Sequence, residues 1–304
     1  MKKHEERDRG IYVEILIRDS VERIWELTQV PAFHERWDLR FTRIRYLPRA
    51  SQNAPQGFSY VTRIGFGLKI RGTGETVGQV SRDGEEKTSS LRFNSEDPKS
   101  LIRSGSGYWR YIPEAEGVRF LTWYDYEVRF GWLGRLADSI AFRPLIGWAT
   151  AWSFDRLRLW IEKSQEPEVS MSLAIIHGLI RISLAMVWLW HGLVPKLIFR
   201  NADEVTMLRN SGLSAEWLPI IGGGEIIMGL VILWTWNRPG VLLINAVLMI
   251  LATVCVAVGS PQFLSAAFNP LTLNLSVLSL SVVGWLASRY LPSAHRCLRK
   301  IPRG

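Results

Sequence analysis

WLPIIGGGEIIMGLVILWTWNRPGVLLINAVLMILATVCVAVG, residues Trp217–Gly259, decides the architecture of this chain. It holds two apolar runs around a short polar turn with Arg238 and Pro239. Each run is near the roughly 20 residues that cross a hydrocarbon core about 30 Å thick. Two similar runs lie outside it, one before and one after. The candidate spans are therefore Leu173–Val194, Trp217–Trp236, Val241–Gly259 and Leu271–Leu291. The first 165 residues contain no such run. The chain reads as a soluble domain followed by an all-α four-helix transmembrane bundle, and an even number of spans puts both bundle ends on one side.

Composition supports the division. Residues 1–170 hold 27 Lys/Arg against 24 Asp/Glu, whereas residues 171–304 hold 10 against 4. The break falls in a polar stretch with Pro167, which gives a soluble domain over 1–165, a linker over 166–172, the bundle over 173–291 and a basic tail over 292–304. An isoelectric point near 9.8 would suit a nucleic-acid partner, but the excess cations sit at membrane flanks, so none is expected. Arg238 and the tail residues Arg289, Arg296, Arg299, Lys300 and Arg303 mark one side. The link between the third and fourth spans carries no charge. The positive-inside rule then puts both termini of a multi-pass cell-membrane protein in the cytoplasm. Trp188, Trp190 and Trp217 are expected at the outer interface, and Trp234, Trp236, Trp285 and Tyr290 at the inner one. MKKHEERDRG has charges but no apolar run after it, so it does not read as a signal peptide. Cys255 and Cys297 make no C-x-x-C, which argues against a disulfide framework or a cysteine metal site.

The soluble part reads as β-α-α followed by six strands and a helix. Ile11–Ile17 alternates and ends at Asp19-Ser20, an N-cap pair for a helix over Val21–Thr28. Pro31 opens a second helix. Strands are expected at Phe41–Leu47, Phe58–Phe66, Lys69–Val80, Ser89–Asn94, Ile102–Ile112 and Val118–Phe130, then a helix from about Leu136 to Glu162. An antiparallel sheet curved around that long helix gives an α+β helix-grip domain. Tyr124 and Tyr126 on the last strand and Trp148 and Trp152 on the helix share an aromatic inner face. Such a face is either packed core or the wall of an apolar pocket, and the four are the candidate ligand-binding residues.

In order of elements, and in DSVERIWELTQVPAFHERWD and FRPLIGWATAWSFDRLRLWIE, the first half resembles the SRPBCC superfamily (START-like or helix-grip, with polyketide cyclase-like members). RISLAMVWLWHGLVPK and GGGEIIMG in the second half resemble the DoxX-like family of four-helix membrane proteins. The first resemblance implies binding of lipids, sterols, polyketides or other bulky apolar molecules, with cyclases or hydrolases among its members. The second implies a link to quinone-coupled or other membrane redox complexes. Neither brings a catalytic signature, and one fold hosts many chemistries.

Ionisable groups inside spans are costly and tend to face the bundle interior. His177 and Arg181 share one face of the first span, Glu225 lies in the second, and Asn245 and Asn274 offer interhelical hydrogen bonds. Depths counted at 1.5 Å per residue bring Arg181 and Glu225 within side-chain reach. Their pairing would either fix helix register or form a polar centre for a quinone head group, a proton or an ion. No H-E-x-x-H or His/Cys cluster points to a metal. Gly65-Phe66-Gly67 and Gly72-Thr73-Gly74 lack the spacing of a nucleotide loop and read as strand bulges or bends. The soluble part has only His4 and His34, so histidine acid–base catalysis is not expected there.

Three functions follow as expectations. The first is a membrane-anchored protein that binds a hydrophobic small molecule or lipid in a soluble cavity next to the bilayer. The second is a quinone-linked subunit of a membrane oxidoreductase complex, with a partner subunit. The third is a cyclase-like enzyme using the soluble cavity alone.

Overall fold

The computed structural model describes residues 10–49, 51, 54–65, 67–82 and 86–302. The chain divides into two compact units, one running through Ser170 and resuming at Pro292, the other Met171–Leu291.

The first unit is one antiparallel sheet in the order β1-β7-β6-β5-β4-β3-β2. Its strands are β1 Ile11–Ile17, β2 Arg43–Tyr46, β3 Gln56–Gly65, β4 Leu68–Arg82, β5 Glu86–Asn94, β6 Ile102–Glu114 and β7 Gly117–Val128. Helices α1 Val21–Gln29 and α2 Pro31–Trp37 connect β1 to β2. Ser20 caps α1 by accepting from the Arg23 amide, and Pro31 opens α2, where a missing N–H costs nothing. Within β4, a Cβ on Gly72 would lie 2.3 Å from the Tyr60 ring and one on Gly74 would lie 2.4 Å from Phe58. These two glycines therefore make room for rings on β3 within a regular stretch of β4, whereas the register shift between Arg63 and Gly65 puts an irregularity at the other glycine group. Gly67, at φ +77°, sits in the hairpin between β3 and β4, and Phe66 lies outside the described residues, as do His4 and Arg303.

The long helix begins earlier than its sequence suggests. Phe130 adopts a left-handed conformation at φ 69° and turns the chain out of β7 directly into α3 Gly131–Ala137. A π-helical turn, Asp138–Phe142, then leads into α4 Arg143–Lys163. The core lies between the sheet and α4, where Phe120 stacks on Phe154 at 4.4 Å beside the fully buried Trp37. Burying each such ring stabilises by roughly 1.5–3 kcal/mol.

The linker expected over 166–172 is mostly helical. The break is confined to Ser164–Glu166, and α5 Pro167–His191 runs unbroken into the first span. The described part of the tail packs on the first unit. Leu298 and Glu14 exchange two backbone hydrogen bonds of 2.9 Å, which extends the sheet past its edge strand β1. The fully buried Asp155 accepts from the Ser293 amide at 2.7 Å and pairs with Arg296 at 2.8 Å.

The second unit holds the spans. After α5 come a π-helical turn Gly192–Ile198, the short α6 Ala202–Asn210, α7 Leu218–Trp234, α8 Gly240–Gly259 and α9 Pro270–Ala287. Four helical stretches are long and apolar enough to cross a membrane, and most of each apolar stretch is unburied, as a lipid-facing surface would be. Ile180, Leu184, Ile232, Leu242, Met249 and Val277 form the core. Small residues permit close approach: a Cβ on Gly192 would lie 2.5 Å from the Gly222 carbonyl, and one on Gly229 would lie 3.0 Å from the Ala185 carbonyl.

Candidate functional site

The curved sheet, α2 and the first half of α4 enclose a cavity of about 310 Å³ in the first unit. Phe41, Phe58, Phe93, Trp109, Tyr124 and Ile146 supply much of its wall. Two of its polar lining residues, His34 and Arg40, meet the buried Asp38 behind the wall at the end of α2. Asp38 is fully buried and takes both oxygens into pairing: Arg40 Nε reaches Oδ1 at 2.9 Å, Arg40 reaches Oδ2 at 2.6 Å, and His34 Nε2 lies 3.0 Å from Oδ2. Burial alone would raise the Asp38 carboxyl, but the Arg40 guanidinium and the His34 ring outweigh it and hold the group well below the usual carboxylate range. Arg40 and His34 both line the cavity, and the Arg40 guanidinium stands 5.5 Å from the Tyr124 ring. Burial pushes the Tyr60 phenol up to about 12, so this wall group stays a neutral donor. The Arg40–Asp38 pair carries no net charge. The wall is thus mostly apolar and aromatic, with the paired Arg40 on one side and the exposed Arg63 at its rim, which suits an apolar ligand with a polar end.

Of the four aromatics selected from sequence, the structure brings Tyr124 alone to this cavity. Its hydroxyl meets Thr150 Oγ1 at 2.8 Å. Tyr126 is turned to the helix start and donates to Asp138 at 2.6 Å, and Arg143 ties Asp138 to Asp125 at 2.9 Å each. Trp152 is buried and stacks on the half-exposed Trp148 at 6.2 Å, away from the cavity. The helix presents Leu145, Ile146 and Ala149 to the cavity instead. The helical period holds, but the inner face is rotated by about one residue step from the expected one, because the bulky tryptophans look like the inner face and small Ala149 does not. His34 and Asp38 have no visible role in sequence. Their i, i+4 spacing on α2 is the available signal.

In the second unit the expected Arg181–Glu225 pair does not form. Arg181 is fully buried and donates to His177 Nε2 at 2.9 Å, to the Ile232 carbonyl at 2.6 Å and to the Arg238 carbonyl at 3.0 Å. It satisfies carbonyls at the end of α7, where the helix dipole is negative. Glu225 stands about two turns away along α7 and pairs with Lys196 at 3.0 Å. Glu204 shares the same ammonium at 3.2 Å. Trp188, expected in an aromatic belt, points inward and donates to Asn245 Oδ1 at 2.7 Å. Asn245 in turn donates to Ser281 at 2.7 Å, and Asn274 donates to Thr253 at 3.1 Å. Both asparagines bridge helices. Among the described residues no group of three or more His, Cys, Asp or Glu could hold a metal.

Comparison with known proteins adds to this geometry. The uncharacterized membrane protein YndG of Bacillus subtilis (strain 168) is 45% identical over 215 residues, covering 70% of this chain and 78% of that one. The pattern of the DoxX-like family matches residues 185–282. The chain belongs to the family of the membrane protein YndG and carries a DoxX-like segment. The DoxX-like segment begins within α5 and ends within α9. It takes in Lys196, Glu204, Glu225, Asn245 and Asn274, and leaves out His177 and Arg181. Among solved structures, a protein of Thermus thermophilus is similar over 45% of this chain and 86% of its own, at 19% identity and a TM-score of 0.33. The di-domain ARO/CYC StfQ from the steffimycin biosynthetic pathway is similar over 54% of each chain, at 17% identity and a TM-score of 0.39. A protein of unknown function from Staphylococcus aureus covers 51% of this chain and 94% of its own, at 15% identity and a TM-score of 0.37.

Proposed function

We propose that this DoxX-like protein is a membrane-anchored binding protein for a hydrophobic small molecule or lipid. The observation that carries the reading is the cavity of about 310 Å³ with aromatic walls and the neutral Arg40–Asp38 corner. Its size is at the lower end of ordinary ligand pockets. The apolar wall supplies affinity, and the Arg40 guanidinium offers a donor to a polar end of the ligand. Both chain termini are cytoplasmic in this reading. The basic flanks support it, and so does the return of the chain to its first unit after the fourth span.

Mass spectrometry of molecules retained by the purified full-length protein tests the reading. An apolar compound present in the native protein and depleted in Ala149→Phe, with the fold intact, is expected. Equal retention by both proteins would refute it.

A second reading, a quinone-linked subunit of a membrane oxidoreductase complex, draws on the Lys196 cluster. An ammonium flanked by Glu204 and Glu225 offers a donor and two proton acceptors near one end of the bundle. Quinone that copurifies with the native chain and is lost in Lys196→Met would favour this reading and its partner subunit.

A further inference from the structure

Helix α3 and the π turn after it invert the usual amphipathic pattern. A surface helix ordinarily buries its apolar residues and exposes its polar ones. Here Trp132 is 67% exposed, Leu133 59%, Leu136 49% and Ile140 71%. The buried positions are Gly134 and Asp138. Gly134 presses on the backbone, since a Cβ there would lie 1.8 Å from the Arg129 carbonyl oxygen. Asp138 accepts from Tyr126 and Arg143. The helix is thus held by a glycine and a carboxylate, while its large apolar side chains contribute little to the fold of this unit. A contiguous run of this kind marks a surface that meets an apolar partner.

The run is continuous with the cavity. Phe142, at the end of the π turn, lines the cavity, and so does Leu145, which is 60% exposed. The neighbouring segments reach the same end. Arg129 donates its amide to the Leu101 carbonyl at 2.8 Å and its guanidinium to the Ser95 and Asp97 carbonyls. Leu101 and the half-exposed Ile64 of the β3–β4 hairpin also line the cavity.

We infer that α3 and the following π turn form a bilayer-docking surface, through which the cavity exchanges its ligand with the membrane. The bilayer is the fitting occupant for three reasons. The chain carries four spans, so lipid is always within reach of this unit. Trp, Leu and Ile beside arginine are the composition of segments that lie in the headgroup region. The charge of the surrounding segments is also complementary to anionic lipid: Arg63, Lys69, Lys99, Arg103 and Arg135 are exposed there, against the exposed carboxylates of Glu96 and Glu127. Docking stands on the exposed helix alone, whereas ligand exchange rests on the binding function proposed above.

The test uses the full chain in phosphatidylcholine vesicles containing phosphatidylglycerol. Cys255→Ser and Cys297→Ala clear the background. Leu136→Cys, Ile140→Cys and, as a control, Ala115→Cys in the β6–β7 turn are labelled one at a time with an environment-sensitive fluorophore. Spin-labelled lipid should quench the probes at 136 and 140 by roughly twofold and leave the one at 115 unchanged, as an interfacially seated helix requires. Replacing phosphatidylglycerol by phosphatidylcholine should weaken the quenching. No quenching at 136 and 140 overturns the inference. Probes shielded there without lipid quenching would show protein in its place, a second copy or the bundle, and would also overturn it. Quenching of all three sites alike would overturn it as well. Because this readout involves no ligand, it can fail while retained ligand still supports the binding function, and the reverse also holds.

Discussion

Lys196 Nζ lies 3.0 Å from Glu225 Oε2 and 3.2 Å from Glu204 Oε1, so one ammonium serves two carboxylates. The local geometry explains how. Pro195 cannot donate to a regular helical ladder, and the chain around it widens into the π turn Gly192–Ile198. Gly192 and Gly222 let the two backbones approach, which brings Lys196 beside α7.

Lys196→Met should therefore leave two carboxylates facing each other without a cation. Breaking a buried pair from one side costs about 3 kcal/mol. Lys196→Met combined with Glu225→Gln should recover part of this loss, and Glu204→Gln more. Thermal unfolding in nanodiscs followed by tryptophan fluorescence reads the difference. A Lys196→Met protein as stable as the native one would show that the pair contributes nothing.

Arg181 and Glu225 share no partner, which leads to a second expectation. Arg181→Leu strands the carbonyls of Ile232 and Arg238, and Glu225→Leu leaves Lys196 with Glu204 as its one carboxylate. Each should destabilise the bundle, and the double variant should show the sum to within about 0.5 kcal/mol, as for independent sites. Recovery in the double variant would mean that the two charges interact after all.

These two arginine and glutamate environments show what is legible in sequence and what is not. Hydropathy alone locates four spans, because every apolar run must be long enough to cross lipid. It also ranks Arg181, His177 and Glu225 as unusual, because charges in such runs are rare. Partner choice is not legible. It depends on helix rotation and on the widened turn at Pro195, and neither leaves a periodic trace. In the first unit, period-two alternation in Val118–Val128 gives the inward face of β7 correctly, Tyr124 included. The helix facing it is harder. Apolar and aromatic residues occur all round α4, since Trp148 and Leu145 are exposed while Thr150, Ser153 and Asp155 are buried. A pattern without a polar face cannot tell which side meets the cavity.

The placement of Trp152 changes what its substitution should do. It is buried against Trp148, and the Arg156 guanidinium lies 5.2 Å from its ring, outside the cavity wall. Trp152→Ala should cost about 3–5 kcal/mol of stability through the space left behind. Any apolar probe should bind the surviving folded protein as before. Ala149→Phe should do the reverse, abolishing probe binding at little cost in stability. Swapped outcomes would return the tryptophans to the binding site.

Asp38 makes the first unit sensitive to acid. Its carboxyl is held below the usual value near 3.8 in the folded chain by the Arg40 guanidinium and the hydrogen bond with His34. Between the unfolded and folded values the unfolded chain binds more protons, so stability falls as pH falls. The contribution is complete above about pH 5 and is lost progressively below about pH 4. Asp38→Asn should destabilise the unit at neutral pH by about 3 kcal/mol, since Arg40 would remain without its carboxylate. The gap between the two proteins should then narrow on acidification. A gap that stays constant from neutral pH to about pH 2, measured by denaturant unfolding, would show that Asp38 titrates alike in both states.

Membrane topology is the remaining expectation, and two unrelated observations support it. Arg238 and the tail cations flank the ends of the spans that are proposed to face the cytoplasm. The tail also rejoins the first unit, where Leu298 bonds to Glu14, Arg296 pairs with Asp155 and Cys297 donates to the Ala151 carbonyl at 3.2 Å. A chain that leaves a folded unit and returns to it must cross the membrane an even number of times. The loop holding α6, between the first and second spans, then lies on the opposite side from β1–β7. Single cysteines at Ser51 and Ser211, introduced after Cys255→Ser and Cys297→Ala, distinguish the sides. In intact cells a membrane-impermeant maleimide should label position 211, and it should reach position 51 only after lysis. In a separate protein that keeps Cys297, Asp155→Ala should loosen the tail and speed the labelling of Cys297 after lysis. Labelling of positions 51 and 211 from the same side would refute the even crossing and, with it, the reading of the basic flanks.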